Sequence, residues 1–168
     1  MVFRLSADGQ TIDVRDATHA QDMPWVRTLF TEYAASLDVD LCFQSFDDEL
    51  ANLPADYAVP RGALLLAWVD DAVAGCVALR PITEVDYANA AEMKRLYVRP
   101  AFRRLGLGRL LSEAILDRAR GLGYSCVLLD TLDDMEVART LYEELGFEEI
   151  PPYYYNPIAG SHYLKVDL

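Results

Sequence analysis

Residues 92–121 constrain the fold more than any other stretch of the chain. An apolar run at residues 96–98 suits a strand, and Pro100 ends that strand because proline has no backbone N–H for pairing. The stretch then predicts a turn that contains glycine and a helix that ends near Gly121 or Gly123. Apolar side chains recur along this helix every three or four positions, as on one helical face: Leu107, Leu110, Leu111, Ala114, Ile115, Ala119 and Leu122.

The turn at residues 103–108 predicts an anion-binding site. Backbone N–H groups at the start of a helix lack intrahelical partners and point in one direction. Glycine lets the backbone approach a phosphate closely, and Arg103 and Arg104 add two cationic groups with forked donors. A phosphate or pyrophosphate is the expected ligand. The alternative is that the glycines serve only the geometry of a tight turn.

Two common nucleotide-binding motifs do not fit this turn. A P-loop requires Gly-Lys-Ser/Thr, which does not follow, and a dinucleotide fingerprint requires a small residue where Leu111 stands. Asp130 imitates the ribose-binding acid of the dinucleotide fold. Too little chain follows Asp130, however, to complete a doubly wound sheet.

At these residues the chain resembles the GNAT superfamily of acyl-CoA-dependent N-acyltransferases. The pyrophosphate loop of that family reads Arg/Gln-x-x-Gly-x-Gly/Ala, and Arg103, Gly106 and Gly108 match this pattern. Residues 138–147, with the sequence ARTLYEELGF, are similar to the second motif of the family. The resemblance implies one GNAT-like domain over residues 1–168.

The expected fold is α/β, with a mixed, mainly antiparallel central sheet and about four flanking helices. The residue pattern alone indicates a mixed α/β chain with a mainly antiparallel first half, and the resemblance supplies the order β-α-α-β-β-β-α-β-α-β-β. A loose arm is expected before Thr11, a cap at Asp22, and a polar connection at residues 80–90. The predicted strands are residues 11–15, 63–69, 73–79, 93–98, 125–129, one from Phe147, and 161–168. The other predicted helices end near Leu37, lie within residues 44–52, and span residues 135–145 with Asp133 or Asp134 as cap.

The resemblance also implies acetyl-CoA as cosubstrate, no metal, and direct acetyl transfer to a primary amine through a ternary complex. Family members separate two central strands so that the pantetheine arm lies between them, here residues 92–98 and 125–129. A backbone N–H near residues 96–98 is expected to polarise the thioester carbonyl. The predicted cofactor-binding residues are Leu96, Tyr97, Val98, Arg103, Arg104, Leu105, Gly106, Leu107, Gly108 and Arg109.

Two side chains are candidates for proton transfer. Tyr142 matches the family tyrosine that protonates the leaving thiolate, although an aromatic residue on an apolar helical stripe is also an ordinary core residue. Glu92 occupies a strand position from which some members take the amine proton, and it is equally read as a carboxylate with no role. The family often has asparagine where Met135 stands, which puts one cofactor contact in doubt.

The acceptor is expected to be a small cationic or amine-bearing molecule, or a peptide. Residues 38–52 are acidic and fall where the family forms its acceptor pocket, so Asp47 is predicted to bind the acceptor together with Tyr153 and Tyr154. Those tyrosines could instead cover a sheet edge. The alternative function is a non-catalytic acyl-CoA-binding or regulatory protein of the same fold.

Composition excludes several other functions. A net charge of −12 and a pI of about 4.4 argue against nucleic acid as partner, because such a surface must be basic. An apolar run of membrane-spanning length and a signal-peptide core are both missing, so the expected location is the cytoplasm, without a membrane partner. Cys42, Cys76 and Cys126 are far apart and read as buried free thiols. The sequence leaves a homodimer open.

Overall fold

The computed structural model describes residues 2–5, 8–17, 19–37, 40–41, 45–132 and 136–168, the first range by its backbone. Within these residues the strands are β1 (Val2–Leu5), β2 (Thr11–Asp16), β3 (Ala63–Val69), β4 (Ala72–Ile82), β5 (Ala90–Val98), β6 (Cys126–Leu132), β7 (Glu148–Ile150) and β8 (Ser161–Asp167). The α-helices are α1 (Met23–Ser36), α2 (Phe46–Ala51), α3 (Leu107–Gly121) and α4 (Glu136–Glu144). Short 3₁₀ turns lie at Ala20–Asp22, Ala55–Tyr57 and Pro100–Phe102.

The strands form one sheet in the order β1-β2-β3-β4-β5-β6-β8-β7. Neighbouring strands are antiparallel throughout, except that β5 and β6 are parallel. The predicted α/β class and mainly antiparallel sheet are therefore confirmed.

Two segments that were predicted to lie outside the sheet contain paired strand residues. The loose arm expected before Thr11 is wrong, because β1 pairs with β2 from Val2 opposite Val14 to Leu5 opposite Thr11. The polar connection expected from residue 80 begins later, since β4 continues to Ile82. Arg80 lies opposite Glu92 in this register, so a charged side chain that looked like a loop residue is matched across the sheet by one on the predicted strand.

The predicted helix ends differ from the structure in their capping. Asp22 precedes α1, but its carboxylate accepts a hydrogen bond from the backbone N–H of His19 at 3.3 Å instead of capping that helix. Pro24 lies in the first turn of α1, as predicted. The remaining predictions for helix caps, one cofactor contact and one thiol fall outside the described residues, at Asp133, Asp134, Met135 and Cys42.

The parallel pair β5–β6 is short, and its strands separate beyond it. The pairing covers Ala90 with Cys126, Ala91 with Val127 and Glu92 with Leu128. Both strands continue past these residues, β5 to Val98 and β6 to Leu132. The predicted separation of these two strands is therefore present in the structure.

A β-bulge bends β5 at the place where it leaves β6. Cys76 pairs with Tyr97 and Ala78 pairs with Lys94, so two residues of β5, Arg95 and Leu96, lie opposite one residue of β4. Arg95 has a φ of 63°, in the left-handed region that residues other than glycine seldom adopt. A bulge increases the local bend and twist of a strand, which carries the end of β5 away from its parallel neighbour.

Helices cover both faces of the sheet. Along β3, Leu65 packs into one core with Leu111 and Ile115 of α3, whereas Leu66 packs into a second core with Phe30 of α1. This alternation is the period of a strand buried on both faces. Because α3 and α4 lie on one face and α1 and α2 on the other, a gap between β5 and β6 is reached from both sides.

The described residues contain no helix that is both long and apolar enough to span a lipid bilayer. Cys76 and Cys126 are free and buried, as predicted. Burial raises the pKa of both thiols, so they behave as small apolar residues.

Candidate active site

A narrow cleft of about 50 Å³ lies where β5 and β6 separate. Residues 93–96 of β5 form one wall and residues 129–132 of β6 form the other. Tyr33 of α1 and Tyr142 of α4 also line it, so the cleft takes side chains from both faces of the sheet.

The predicted anion site forms the start of α3. Gly106 is the N-cap residue and has φ 75° and ψ 20°, a left-handed conformation that suits glycine. The first backbone hydrogen bond of the helix runs from the N–H of Leu110 to the carbonyl of Gly106, so the N–H groups of residues 107–109 precede the helical ladder. Arg103 and Arg104 are exposed beside this turn. Arg103 Nε donates to the carbonyl of Val98 at 3.2 Å, which ties the turn to the end of β5.

Two of the predicted cofactor-binding side chains have other partners. Leu107 is buried in the core beneath α3. Arg109 forms ion pairs with Glu144 of α4 and, at 3.6 Å, with Glu113 of its own helix. At Leu107 and Arg109, therefore, the backbone N–H groups and not the side chains are available to an anion at the start of α3.

The three predicted backbone donors of β5 differ in position. Tyr97 and Val98 pair with Cys76 and Gly75 of β4, and the hydroxyl of Tyr97 donates to Glu32 at 3.3 Å. Leu96 lies at the bulge and lines the cleft. Leu96 is thus the residue of this group that faces the space between the strands.

Tyr142 is buried on the wall of the cleft, as its proposed role requires. Its ring packs edge-to-face on Phe147, with 5.6 Å between centroids. Burial, and to a smaller extent Tyr33 and the charge of Asp130, raises the pKa of its hydroxyl. Across the described part of the chain this hydroxyl has no hydrogen-bond partner. The position of Tyr142 therefore favours the protonated hydroxyl.

A second, larger cavity of about 500 Å³ adjoins the cleft. It lies between α2, the turn at Ala55–Tyr57, the ends of β4 and β5, and the loop that follows β7. Lys94 lines both the cleft and this cavity, so the two spaces meet at that residue. The other charged or aromatic side chains of the lining are Asp48, Glu49, Asp56, Tyr57, Arg80, Glu92, Tyr153 and Tyr154.

Glu92 lies on the floor of this cavity and both of its carboxylate oxygens accept hydrogen bonds. Arg80 Nε donates to one oxygen at 2.7 Å and the hydroxyl of Tyr153 donates to the other at 2.6 Å. Burial by itself would raise the pKa of Glu92, but the charges of Lys94 and Arg80 and these two hydrogen bonds outweigh it, and the pKa is lowered. Glu92 is therefore an ionised group with its oxygens already occupied.

Sequence reasoning did not place Asp130, a half-buried carboxylate, in the site. Asp130 lines the cleft, and the hydroxyl of Tyr154 donates to its Oδ2 at 2.7 Å. Burial is the main reason that the pKa of Asp130 is raised, and the same cause lowers the pKa of Lys94. An acidic residue inside the apolar run of β6 was the available signal, because buried charges are rarely kept without a role or a partner.

The acidic segment contributes to the cavity through residues other than the predicted one. Asp48 and Glu49 line it, whereas Asp47 is exposed outside the lining. The reason is helical geometry, since neighbouring residues of α2 point about 100° apart. Tyr153 and Tyr154 both line the cavity.

Comparison with known proteins agrees with this geometry. The sequence profile of the acetyltransferase (GNAT) family matches residues 26–147. The chain belongs to the GNAT family. An uncharacterized N-acetyltransferase of Schizosaccharomyces pombe is 42% identical to this GNAT protein over 149 residues, which span 88% of the chain and 90% of the relative.

An uncharacterized N-acetyltransferase of Dictyostelium discoideum is 31% identical over 201 aligned residues, covering 85% of this chain and 93% of that protein. Among solved structures, the GNAT fold is shared with yncA from Salmonella typhimurium, which was determined with its cofactor acetyl-CoA. The TM-score is 0.70, with 19% identity and 93% of each chain covered. This GNAT protein is therefore an acyltransferase, and its relatives are N-acetyltransferases.

Proposed function

We propose that this protein transfers the acetyl group of acetyl-CoA to a primary amine of a small molecule, directly, within a ternary complex. The observation that carries the proposal is the separation of β5 and β6 after three residue pairs, with Tyr142 on the wall of the resulting cleft. The Salmonella typhimurium neighbour, whose cofactor is acetyl-CoA, supports the choice of acyl donor.

The residues at the start of α3 fit the pyrophosphate of that donor. Arg103 and Arg104 are exposed, Gly106 opens the helix in a left-handed conformation, and the N–H groups of residues 107–109 lie outside the helical ladder. Such a site favours an anion through hydrogen bonds and through the helix dipole. Acetyl-CoA supplies an activated thioester, and the pantetheine arm would pass from this turn along the cleft.

Two groups of the cleft then act on the thioester. The backbone N–H of Leu96 stabilises negative charge on its carbonyl oxygen from the bulge of β5, a position that is fixed before the reaction. Tyr142 donates its proton to the sulfur that leaves, since burial raises the pKa of this hydroxyl and keeps the phenol protonated until the thiolate forms.

The larger cavity is the proposed acceptor site. It joins the cleft at Lys94, and its mouth carries Asp48 and the exposed carboxylate of Asp56. These charges and the faces of Tyr153 and Tyr154 favour an amine that is cationic in solution.

The proposal is tested by following thiol release from acetyl-CoA with a panel of small amines and short peptides. We expect steady turnover with at least one small amine, and a product heavier by one acetyl group in mass spectrometry. Binding of acetyl-CoA without turnover for every amine would instead indicate a non-catalytic acyl-CoA-binding protein.

A further inference from the structure

Lys94 and Asp130 face each other across the separation of the central strands. Each lies two residues beyond the last parallel pair, Glu92 with Leu128, on its own strand. Because side chains alternate along a strand, Lys94 and Asp130 point to the same face of the sheet as that pair. This is the face that holds the acceptor cavity, which Glu92 and Lys94 line.

Asp130 lies in the cleft, next to Lys94, the residue at which the cleft meets the larger cavity. It lines the cleft together with Lys94 and Tyr142, and its charge acts on the hydroxyls of both Tyr142 and Tyr33. The hydroxyl of Tyr154, which lines the proposed acceptor cavity, donates a hydrogen bond to Asp130. A cleft residue that is hydrogen-bonded to the lining of the cavity lies between the proposed sites of the acyl donor and the acceptor amine.

The charged and titratable groups around Asp130 come from every neighbouring element. Lys94, Glu92 and Arg95 lie on β5, Tyr154 on the loop after β7, Tyr163 opposite Asp130 on β8, Tyr142 on α4 and Tyr33 on α1. Burial is the strongest influence on Asp130, and it raises the pKa of this carboxyl despite Lys94 and Tyr154.

Glu92 has the opposite character, although it lies on the same face of the sheet. Its pKa is lowered and both of its oxygens accept hydrogen bonds from Arg80 and Tyr153. A strongly stabilised carboxylate is a weak base, whereas a buried carboxylate gains by taking a proton. Two carboxyl groups whose pKa values are pushed apart mark a division of roles, as in other enzymes.

We propose that Asp130 is the general base that takes the proton from the acceptor ammonium group. The assignment rests on the proposed acetyl transfer to an amine. Asp130 accepts one proton from the ammonium nitrogen, whose lone pair then forms the new N–C bond as the C–S bond breaks. Tyr142 gives its proton to the sulfur, and the second amine proton returns to the Tyr142 oxygen through water. Asp130 releases its own proton to solvent, so one proton is produced for each acetyl group transferred.

The test compares two acceptors of similar shape, an amine found in the panel and a fluorinated analogue that is already largely neutral at neutral pH. We expect Asp130→Asn to lower kcat/KM for the ordinary amine by about 10²–10⁴-fold, the usual contribution of a general base. For the fluorinated amine the loss should be much smaller. For the ordinary amine, the acid limb of the wild-type kcat/KM profile should be replaced in the variant by a rise that follows the neutral fraction of the amine itself.

Two control variants separate this role from a structural one. Tyr154→Phe keeps the carboxylate but removes a hydrogen bond that lowers the pKa of Asp130, so the acid limb for the ordinary amine should persist and move to higher pH. Glu92→Gln should keep the acid limb of the kcat/KM profile for the ordinary amine at the wild-type pH. Thermal unfolding gives a readout that needs no turnover. Asp130→Asn should raise Tm at neutral pH, because burial raises the pKa of Asp130 and so disfavours its ionised form in the folded state. The gain in Tm should shrink as the pH falls toward the ordinary pKa of aspartate.

Each outcome is decisive. Equal losses for the two amines in Asp130→Asn, or an acid limb that stays at the wild-type pH in that variant, overturn the Asp130 assignment alone. Absence of turnover by the wild-type protein with every amine overturns the proposed function, and the assignment with it.

Discussion

Arg95 and Glu49 join the bulge of β5 to α2 by two hydrogen bonds, from Nε to Oε2 at 3.0 Å and from Nη2 to Oε1 at 3.1 Å. Both side chains are largely buried, with 2% and 13% of their surfaces exposed. The Arg95 guanidinium also lies over the ring of Phe46, 5.0 Å from its centroid, and Tyr57 donates to Glu49 at 2.8 Å. The wall of the larger cavity is thereby fastened to the strand that lines the cleft.

Glu49→Gln should destabilise the protein strongly. The change leaves the buried Arg95 charge without its anionic partner, which typically costs about 3–5 kcal/mol. Denaturant unfolding measures the loss. Asp117→Asn is the matched control, because its pair with Arg120 is exposed and should contribute less than about 1 kcal/mol. Similar losses in the two variants would contradict the structural role of the buried pair.

Glu92→Gln should change how stability depends on pH. The folded-state pKa of Glu92 lies below its ordinary value of 4.5, so its ionised form stabilises the folded state at higher pH. That contribution is lost as the pH falls through the folded-state pKa. The Tm of the wild-type protein should therefore exceed that of Glu92→Gln at neutral pH, and the difference should disappear in acid. A Tm difference that does not depend on pH would argue against a stabilising ionised Glu92.

Arg103→Ala should weaken acetyl-CoA binding by about ten- to a hundredfold, since charge-assisted hydrogen bonds contribute about 1.5–3 kcal/mol. Calorimetric titration measures the change. Arg120→Ala removes an exposed arginine from the last turn of the same helix and should leave the affinity unchanged. Equal affinities for the two variants would place the pyrophosphate elsewhere.

Tyr142→Phe should lower kcat by about 10²–10⁴-fold while the Kd of acetyl-CoA stays the same, because the hydroxyl acts on the leaving sulfur and not on the bound donor. Tyr124→Phe is the control, since that buried hydroxyl bonds to the carbonyl of Arg61 at 2.5 Å, away from the cleft. A wild-type rate in Tyr142→Phe would make Tyr142 a core residue only.

The salt dependence of acceptor binding tests the acidic rim of the cavity. Exposed charges are screened over about 8–10 Å at physiological ionic strength, so the KM of a cationic amine should rise with added salt. Asp48→Asn should flatten that rise, whereas Asp47→Asn should not, because Asp48 lines the cavity and Asp47 lies outside it. A KM that does not change with salt would show that the acidic rim has no electrostatic role in acceptor binding.

The sequence predicted those parts of the site that depend on neighbouring residues. Arg103, Gly106 and the apolar stripe of α3 are close in sequence, so their spacing indicated the turn and the helix that follows it. Asp130 and Lys94 come close only because the pairing of β5 with β6 ends at Glu92 and Leu128. The order of residues in the sequence does not reveal where a strand pairing ends. The pairing of β1 was missed for the same reason.

Residue pairing across strands also explains the error at residues 80–82. Arg80 looked like a loop residue because a charge in a central strand is costly, yet Glu92 balances it on the next strand. The position of Asp47 outside the cavity follows from the exact start of a short helix, which composition does not fix.

The three residue pairs between β5 and β6 make acetyl-CoA a candidate structural component as well as a reactant. They are the contact that joins the half-sheet β1–β5 to the half-sheet β6–β8–β7. A pantetheine arm, which carries amide groups, would bridge the two edges as an additional short strand. We expect amide hydrogen exchange at residues 93–96 and 129–132 to slow when it binds. Donor at a hundred times its Kd would add about 2.7 kcal/mol to the free energy of unfolding, so scarcity of acetyl-CoA would leave the protein less stable as well as idle.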